Sequence, residues 1–158
     1  MSDLADVWSF TRVRLAASYE GLSDDQLRWR PHPAAHDIGE ILYHIAGAEH
    51  YWWARLSGAK SGLDERLDWA VKDGFLRNAP CPFGNEDISL NKIEAALAFT
   101  RERIFPILLA PTVEQLSMQL ESPIGDMVSG REGMIRLVQH AAYHTGQIWM
   151  IRMSPGFP

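Results

Sequence analysis

The apolar positions along the chain fall into four long helical stripes. Leu4, Val7, Trp8, Phe10, Val13, Leu15 and Tyr19 recur at mostly helical spacing, and Gly21 stands where a helix end favours glycine. This predicts a first helix from about Leu4 to Glu20. Ser23 with Gln26 three residues on is a capping-box pair, but Pro31 and Pro33 confine the helix it opens to a short connector over Asp24 to Trp29. Asp37 with Glu40 is a second such pair. It opens a stripe of Ile38, Ile41, Leu42, Ile45, Ala48, Trp52 and Leu56, which predicts a second helix from Ile38 to Ser57.

Between Gly58 and Ile88 the pattern degrades, and only Leu67 to Val71 reads as briefly helical. Connections of this length are uncommon in compact domains and often serve as lids or binding loops. Ser89 opens a third helix carrying Ile93, Ala96, Leu97, Phe99, Thr100 and Ile104, expected to kink or stop near Pro106. Ser129 with Glu132 is a third capping pair. It predicts a fourth helix from Gly130 to Met153, with Met134, Leu137, Val138, Ala141, Ile148 and Ile151 on its apolar face and Ser154-Pro155-Gly156 as its stop. No stretch shows the alternation of a strand. The expected architecture is all-α, a four-helix bundle in one domain of 158 residues.

Composition narrows the chemistry. With 46% hydrophobic and 22% charged residues the chain has enough apolar surface for a core without staples. The single cysteine, Cys81, excludes an internal disulfide and any metal site built on paired thiolates. Lys and Arg are scattered and the net charge is -5, which argues against a nucleic-acid partner. The start of the chain lacks the blocks of a signal peptide, and no stretch approaches the ~18 apolar residues of a membrane span. A cytoplasmic protein with no membrane partner is the expectation.

Six histidines remain as the unusual feature. His140 and His144 stand one turn apart on the fourth helix, a spacing that lets two imidazoles reach one metal ion. At ~100° per residue, His44 lies about 120° from the centre of its apolar stripe, and His140 and His144 lie about 110° and 70° from theirs, on the corresponding side. Such flanks face either a neighbouring helix or the cleft between two helices. Three imidazoles meeting there would form a three-histidine site with an open position, as catalytic metal centres have. The alternative is that these histidines are simply packed polar residues.

The other candidates rank lower. His50 lies on the opposite flank and reads as a rim residue, and His32 and His36 read as structural or solvent-facing. Glu40, one turn before His44, and Gln147, near the azimuth of His140 and His144, are candidates to orient the ligands or to hydrogen-bond a substrate. Cys81, between two prolines with no histidine beside it, reads as a partly buried thiol. The tryptophans read as core and connector packing, with Trp52 and Trp53 also placed to line an apolar pocket. The chain has no His-Glu-x-x-His, no Glu-x-x-His and no glycine-rich phosphate loop.

Three stretches, in order, carry a resemblance: Leu22-Ser23-Asp24-Asp25-Gln26-Leu27-Arg28-Trp29-Arg30-Pro31, then Asp37-Ile38-Gly39-Glu40-Ile41-Leu42-Tyr43-His44-Ile45-Ala46, then His140-Ala141-Ala142-Tyr143-His144-Thr145-Gly146-Gln147-Ile148. Together they resemble the recurring segments of the DinB/YfiT-like metalloenzyme family, over essentially the whole chain. The resemblance implies an up-down-down-up four-helix bundle, often a homodimer, with a divalent metal on His44, His140 and His144. It also implies chemistry of two kinds, transfer or isomerisation with a low-molecular-weight thiol, or metal-dependent hydrolysis. Zn²⁺ is the first expectation for the metal, with Ni²⁺ or Fe²⁺ as alternatives, since three imidazoles accept several first-row ions. From the residues alone, two readings stand side by side: an enzyme whose metal activates water or a thiol for a small-molecule substrate, and a metal- or small-molecule-binding bundle without turnover.

Overall fold

The computed structural model describes residues 3–76 and 80–158; positions 77–79 of the long connection, and the first two residues, lie outside the described part. Four long helices carry the architecture: α1 (Asp3–Tyr19), α3 (Ile38–Ser57), α5 (Leu90–Leu109) and α7 (Gly130–Arg152). Between them lie α2 (Asp24–Arg28), α4 (Glu65–Leu76), α6 (Val113–Ser117) and a hairpin of β1 (Gln119–Glu121) with β2 (Met127–Ser129). The long helices contact one another in the cyclic order α3, α5, α1, α7, and α4 lies on the outside of α3.

Two apolar clusters fix the helix directions. One gathers the end of α1 (Leu15, Tyr19), the start of α3 (Ile38 to Ala46), the start of α5 (Ile93, Leu97) and the end of α7 (Ile148, Ile151). The other gathers the start of α1 (Ala5, Trp8), the end of α3 (Trp52, Leu56), the end of α5 (Ile104, Leu108) and the start of α7 (Met134, Leu137). Helices α1 and α7 therefore run one way and α3 and α5 the other, an up-down-down-up bundle. Because α3 and α5 are parallel neighbours, the chain must return along the whole bundle between them, and the segment after Gly58 makes that crossing.

Most of α3 is buried, as expected of a helix with neighbours on three sides. Its N-terminus is closed by the reciprocal Asp37–Glu40 capping box, and Gly58 ends it in the left-handed conformation (φ 63°). The Ser23–Gln26 box is likewise complete, whereas at Ser129 only the serine half forms and Glu132 turns instead to Arg136.

Three elements differ from the sequence expectation. Helix α4 is longer than the Leu67 to Val71 core of its pattern, which supplies the buried Leu67, Ala70 and Val71; Asp64 caps its start through the Leu67 amide at 3.0 Å. Helix α5 runs through Pro106 to Leu109; the proline removes one hydrogen bond, but burial of Ile107 and Leu108 holds the last turn. The β1–β2 hairpin departs from the all-helical pattern, since three-residue strands are too short to show alternation. Its position is set from outside: the Tyr51 hydroxyl donates to the Glu121 carbonyl at 2.9 Å, and Arg136 grips Asp126.

The seat of α4 depends on Gly47. A Cβ there would stand 2.5 Å from the Leu67 carbonyl oxygen and 2.9 Å from the Val71 nitrogen, both backbone atoms that cannot move aside alone. In an open helix, Gly to Ala gains about 1 kcal/mol of propensity. Overpacking costs about 1–3 kcal/mol and should win here. Gly47→Ala is expected to lower unfolding free energy by up to about 2 kcal/mol in urea titration. A gain in stability would show that α4 does not lie this close.

Candidate metal centre

His44 projects from the middle of α3, and His140 and His144 from successive turns of the facing α7. Their imidazoles meet: His140 Nε2 lies 2.8 Å from His44 Nε2 and 3.1 Å from His144 Nε2. The three candidate ligand atoms fall within 4.8 Å of one another, and His44 is buried.

The outer ring nitrogens decide which atoms face inward. His44 Nδ1 lies 2.9 Å from the Ala70 carbonyl of α4, which can only accept, so the proton sits on Nδ1 and Nε2 presents its lone pair. His144 Nδ1 lies 2.6 Å from Gln147 Oε1, one turn on, and with the amide oxygen as acceptor the same tautomer results. His140 can then place at most one proton among three converging nitrogens. At least one contact is left with lone pair facing lone pair, an arrangement that a central cation would satisfy at all three atoms. Tetrahedral coordination at ~2.05 Å would set such nitrogens ~3.3 Å apart, and the two contacts of His140 Nε2, 2.8 and 3.1 Å, are shorter than that by about 0.5 and 0.2 Å. Orientation of a ligating imidazole by a carbonyl or amide behind it is the usual support for a metal-binding histidine. The residues fit a divalent ion with an open coordination position.

Burial keeps these rings neutral. It holds His140 down at about 2, with help from its two imidazole neighbours. His144 is held at about 4 by burial and by His44, against the Gln147 hydrogen bond, and burial lowers His44 too, against the Ala70 carbonyl.

The surroundings divide into two spaces. A small cavity of about 30 Å³ lies where His36, Glu40, Cys81 and Gln147 meet His44 and His144. Glu40 does not reach toward the imidazole nitrogens. Its oxygens take Arg30 at 2.7 Å and His36 Nδ1 at 3.0 Å, and although burial pushes its carboxyl up, those two hydrogen bonds hold it below the ordinary value. Burial raises the neighbouring Asp37 to about 6. On the other side, a cleft of about 340 Å³ opens beside His44 and His140, walled by Ala48, Trp52 and Val71 and by the hairpin tip at Pro123 and Ile124.

The structure extends some sequence expectations and corrects others. His36, read as structural or solvent-facing, pairs with Glu40 and through it also lines the small cavity. Cys81 is the partly buried thiol expected, and it shares that cavity with His44 and His144. His50, read as a rim residue, is buried: the segment after α3 folds over it, and its Nε2 accepts the Asp64 amide at 3.0 Å. Trp52 walls the cleft, while Trp53 turns to His50; Trp69 and Trp149 are exposed instead of packed. The i, i+4 relation of His36 to Glu40 is visible in the sequence, but the prolines beside it hide its direction.

The DinB superfamily profile matches residues 8–148, and the chain belongs to that superfamily. Among curated proteins, none matches. Among solved structures, the chain is similar to the crystal structure of a conserved protein from Enterococcus faecalis, at 14% identity and a TM-score of 0.69 over 99% of each chain; the likeness is one of fold. No described helix is long and apolar enough to cross a membrane.

The depressed histidines give a pH dependence. In the unfolded chain they titrate near ~6.5, so below that the unfolded state binds more protons than the folded one. Stability of the metal-free protein is therefore full above pH ~6.5 and falls as pH drops toward the folded values. Melting temperature should decline between about pH 7 and 5, and His140→Gln should flatten the decline. An equally steep decline in the variant would dissociate it from the cluster.

Proposed function

We propose that this protein is a metal-dependent enzyme acting on a small molecule, with His44, His140 and His144 as ligands of a divalent ion, Zn²⁺ before Ni²⁺ or Fe²⁺. The observation that carries this reading is the meeting of three imidazole nitrogens that share at most one proton, beside a cleft large enough for a substrate. A bound ion would supply Lewis acidity and lower the pKa of a water or thiol at its open position. The chain's own residues do the rest. The Ala70 carbonyl and Gln147 aim two of the rings, and Trp52 and Val71 give the cleft an apolar wall. Hydrolysis and transfer to a low-molecular-weight thiol differ in which nucleophile is activated, and both fit this arrangement.

A non-catalytic binding bundle is the second reading. What favours it is Glu40, the carboxylate lining the small cavity beside His44 and His144, which is engaged by Arg30 and His36 and held ionised, a poor proton donor. We further infer a homodimer, cytoplasmic and without nucleic-acid or membrane partners. Exposed Val7, Phe10 and Val13 on α1 and Ile135 and Trp149 on α7 offer apolar surface for it.

Elemental analysis of protein purified without an affinity tag should find about one equivalent of metal, falling below about half in His144→Ala. A parent below about half an equivalent, unchanged by the substitution, would overturn the metal reading. Loaded protein should then turn over either model esters and amides or an electrophile with a thiol. Inactivity in both assays would leave the binding bundle. A sizing-column elution at the monomer position would remove the dimer.

A further inference from the structure

The cleft beside His44 and His140 has a composition that selects among ligands. Its inner wall is Ala48, Trp52 and Val71, and Gly133 lets it form, since a Cβ there would stand 2.5 Å from the Trp52 ring. The outer wall is the β1–β2 turn, where Pro123 and Ile124 stand over the opening. The turn is tied internally by Ser122, whose backbone amide donates to the Asp126 carbonyl at 2.8 Å and whose hydroxyl bonds the Asp126 carboxylate.

Arg136 is the cation at the cleft, and it looks at first like a receptor for an anion. Its guanidinium is already engaged. It meets Asp126 through two parallel bonds of 3.1 and 2.8 Å and Glu132 through a third of 2.9 Å. Two carboxylates around one guanidinium leave no positive charge to offer, and the bidentate grip works as a latch holding the turn against α7. A carboxylate or phosphate entering the cleft would be desolvated against apolar walls without a counter-charge; an ammonium would meet neutral acceptors at Gln139 and the imidazoles but no lining carboxylate to offset its charge.

We propose that the cleft binds a neutral, largely apolar small molecule, with an aryl or alkyl body between Trp52 and Ile124 and its polar end toward the histidines. The volume, about 340 Å³, lies at the small end of the roughly 300–1,000 Å³ of small-molecule sites. Ile124 is the specificity-determining residue, because it faces the body of the ligand from a turn, where a substitution leaves the helical core untouched. Which end of the molecule reacts rests on the proposed metal centre; the binding itself does not.

Three probes of one shape separate the charges: phenylacetamide, phenylacetate and phenethylammonium, titrated by ligand-observed NMR into the full chain with and without Zn²⁺. The metal-free arm is decisive, since a carboxylate could ligate a metal directly. There phenylacetamide should bind about tenfold more tightly than either ion. Ile124→Asp, at an exposed position and checked for fold by circular dichroism, should weaken phenylacetamide about tenfold and bring phenethylammonium above it. Tightest binding of phenylacetate to the metal-free parent, absence of binding by all three, or an unchanged order in Ile124→Asp would each overturn the proposal. Amide-selective binding in a protein that elemental analysis finds metal-free would sink the metal centre and leave the cleft. Metal in a protein that binds no probe would do the reverse.

Discussion

The histidine cluster depends on how closely α4 can lie against α3. Gly47 removes a side chain that would hold the two backbones apart, and the approach it permits brings the Ala70 carbonyl to His44 Nδ1. That hydrogen bond fixes the tautomer and aims Nε2 across the helix boundary toward α7. Without it the ring could turn or swap its proton, and the three nitrogens would have no reason to face one another. A glycine one turn beyond a histidine thus does as much for the site as the histidine does.

Other parts of the bundle also serve more than one end. The parallel pairing of α3 and α5 forces a long return crossing, and the bundle uses that crossing to carry α4, to bury His50 and to bring the Cys81 segment over the small cavity. Tyr43 ties the far end of the crossing back to α3 by donating to the Asp87 carbonyl at 2.9 Å. On the side away from the histidines, buried Glu49 accepts a hydrogen bond from Thr100 of α5 at 2.5 Å and faces Arg12 of α1 at 3.5 Å, joining three helices through one carboxyl that burial pushes up. The bundle is thus apolar at both ends and polar at its waist, with imidazoles on one side and the Arg12–Glu49 pair on the other.

How much of this is legible in the sequence depends on the range of each interaction. Stripe period and capping pairs are local, and they place the long helices to within a residue or so of where they lie, except where α5 continues past Pro106. The azimuths of His44, His140 and His144 are local too, and point to a shared flank. Glu40 shows the limit. Its capping role with Asp37 is readable, but its engagement by Arg30 ten residues earlier and by His36 depends on how a proline-rich connector turns, which no periodicity encodes. The hairpin escapes for a related reason, since Tyr51 and Arg136, distant in sequence, set its place.

Residue order alone sets the helices, their apolar faces, the restriction of any metal centre to imidazoles and carboxylates, and the three histidines able to share one. Those properties are set by residue type and by spacings of a few residues. Long-range packing sets the rest: that α3 meets α7, which nitrogens carry the protons, that Glu40 is turned away toward Arg30, and that an apolar cleft with a charge-paired arginine stands beside the cluster. Each of these rests on contacts between segments far apart in the chain, and such contacts are chosen by the packing of the whole bundle, where the close fit at Gly47 and Gly133 outweighs any local preference.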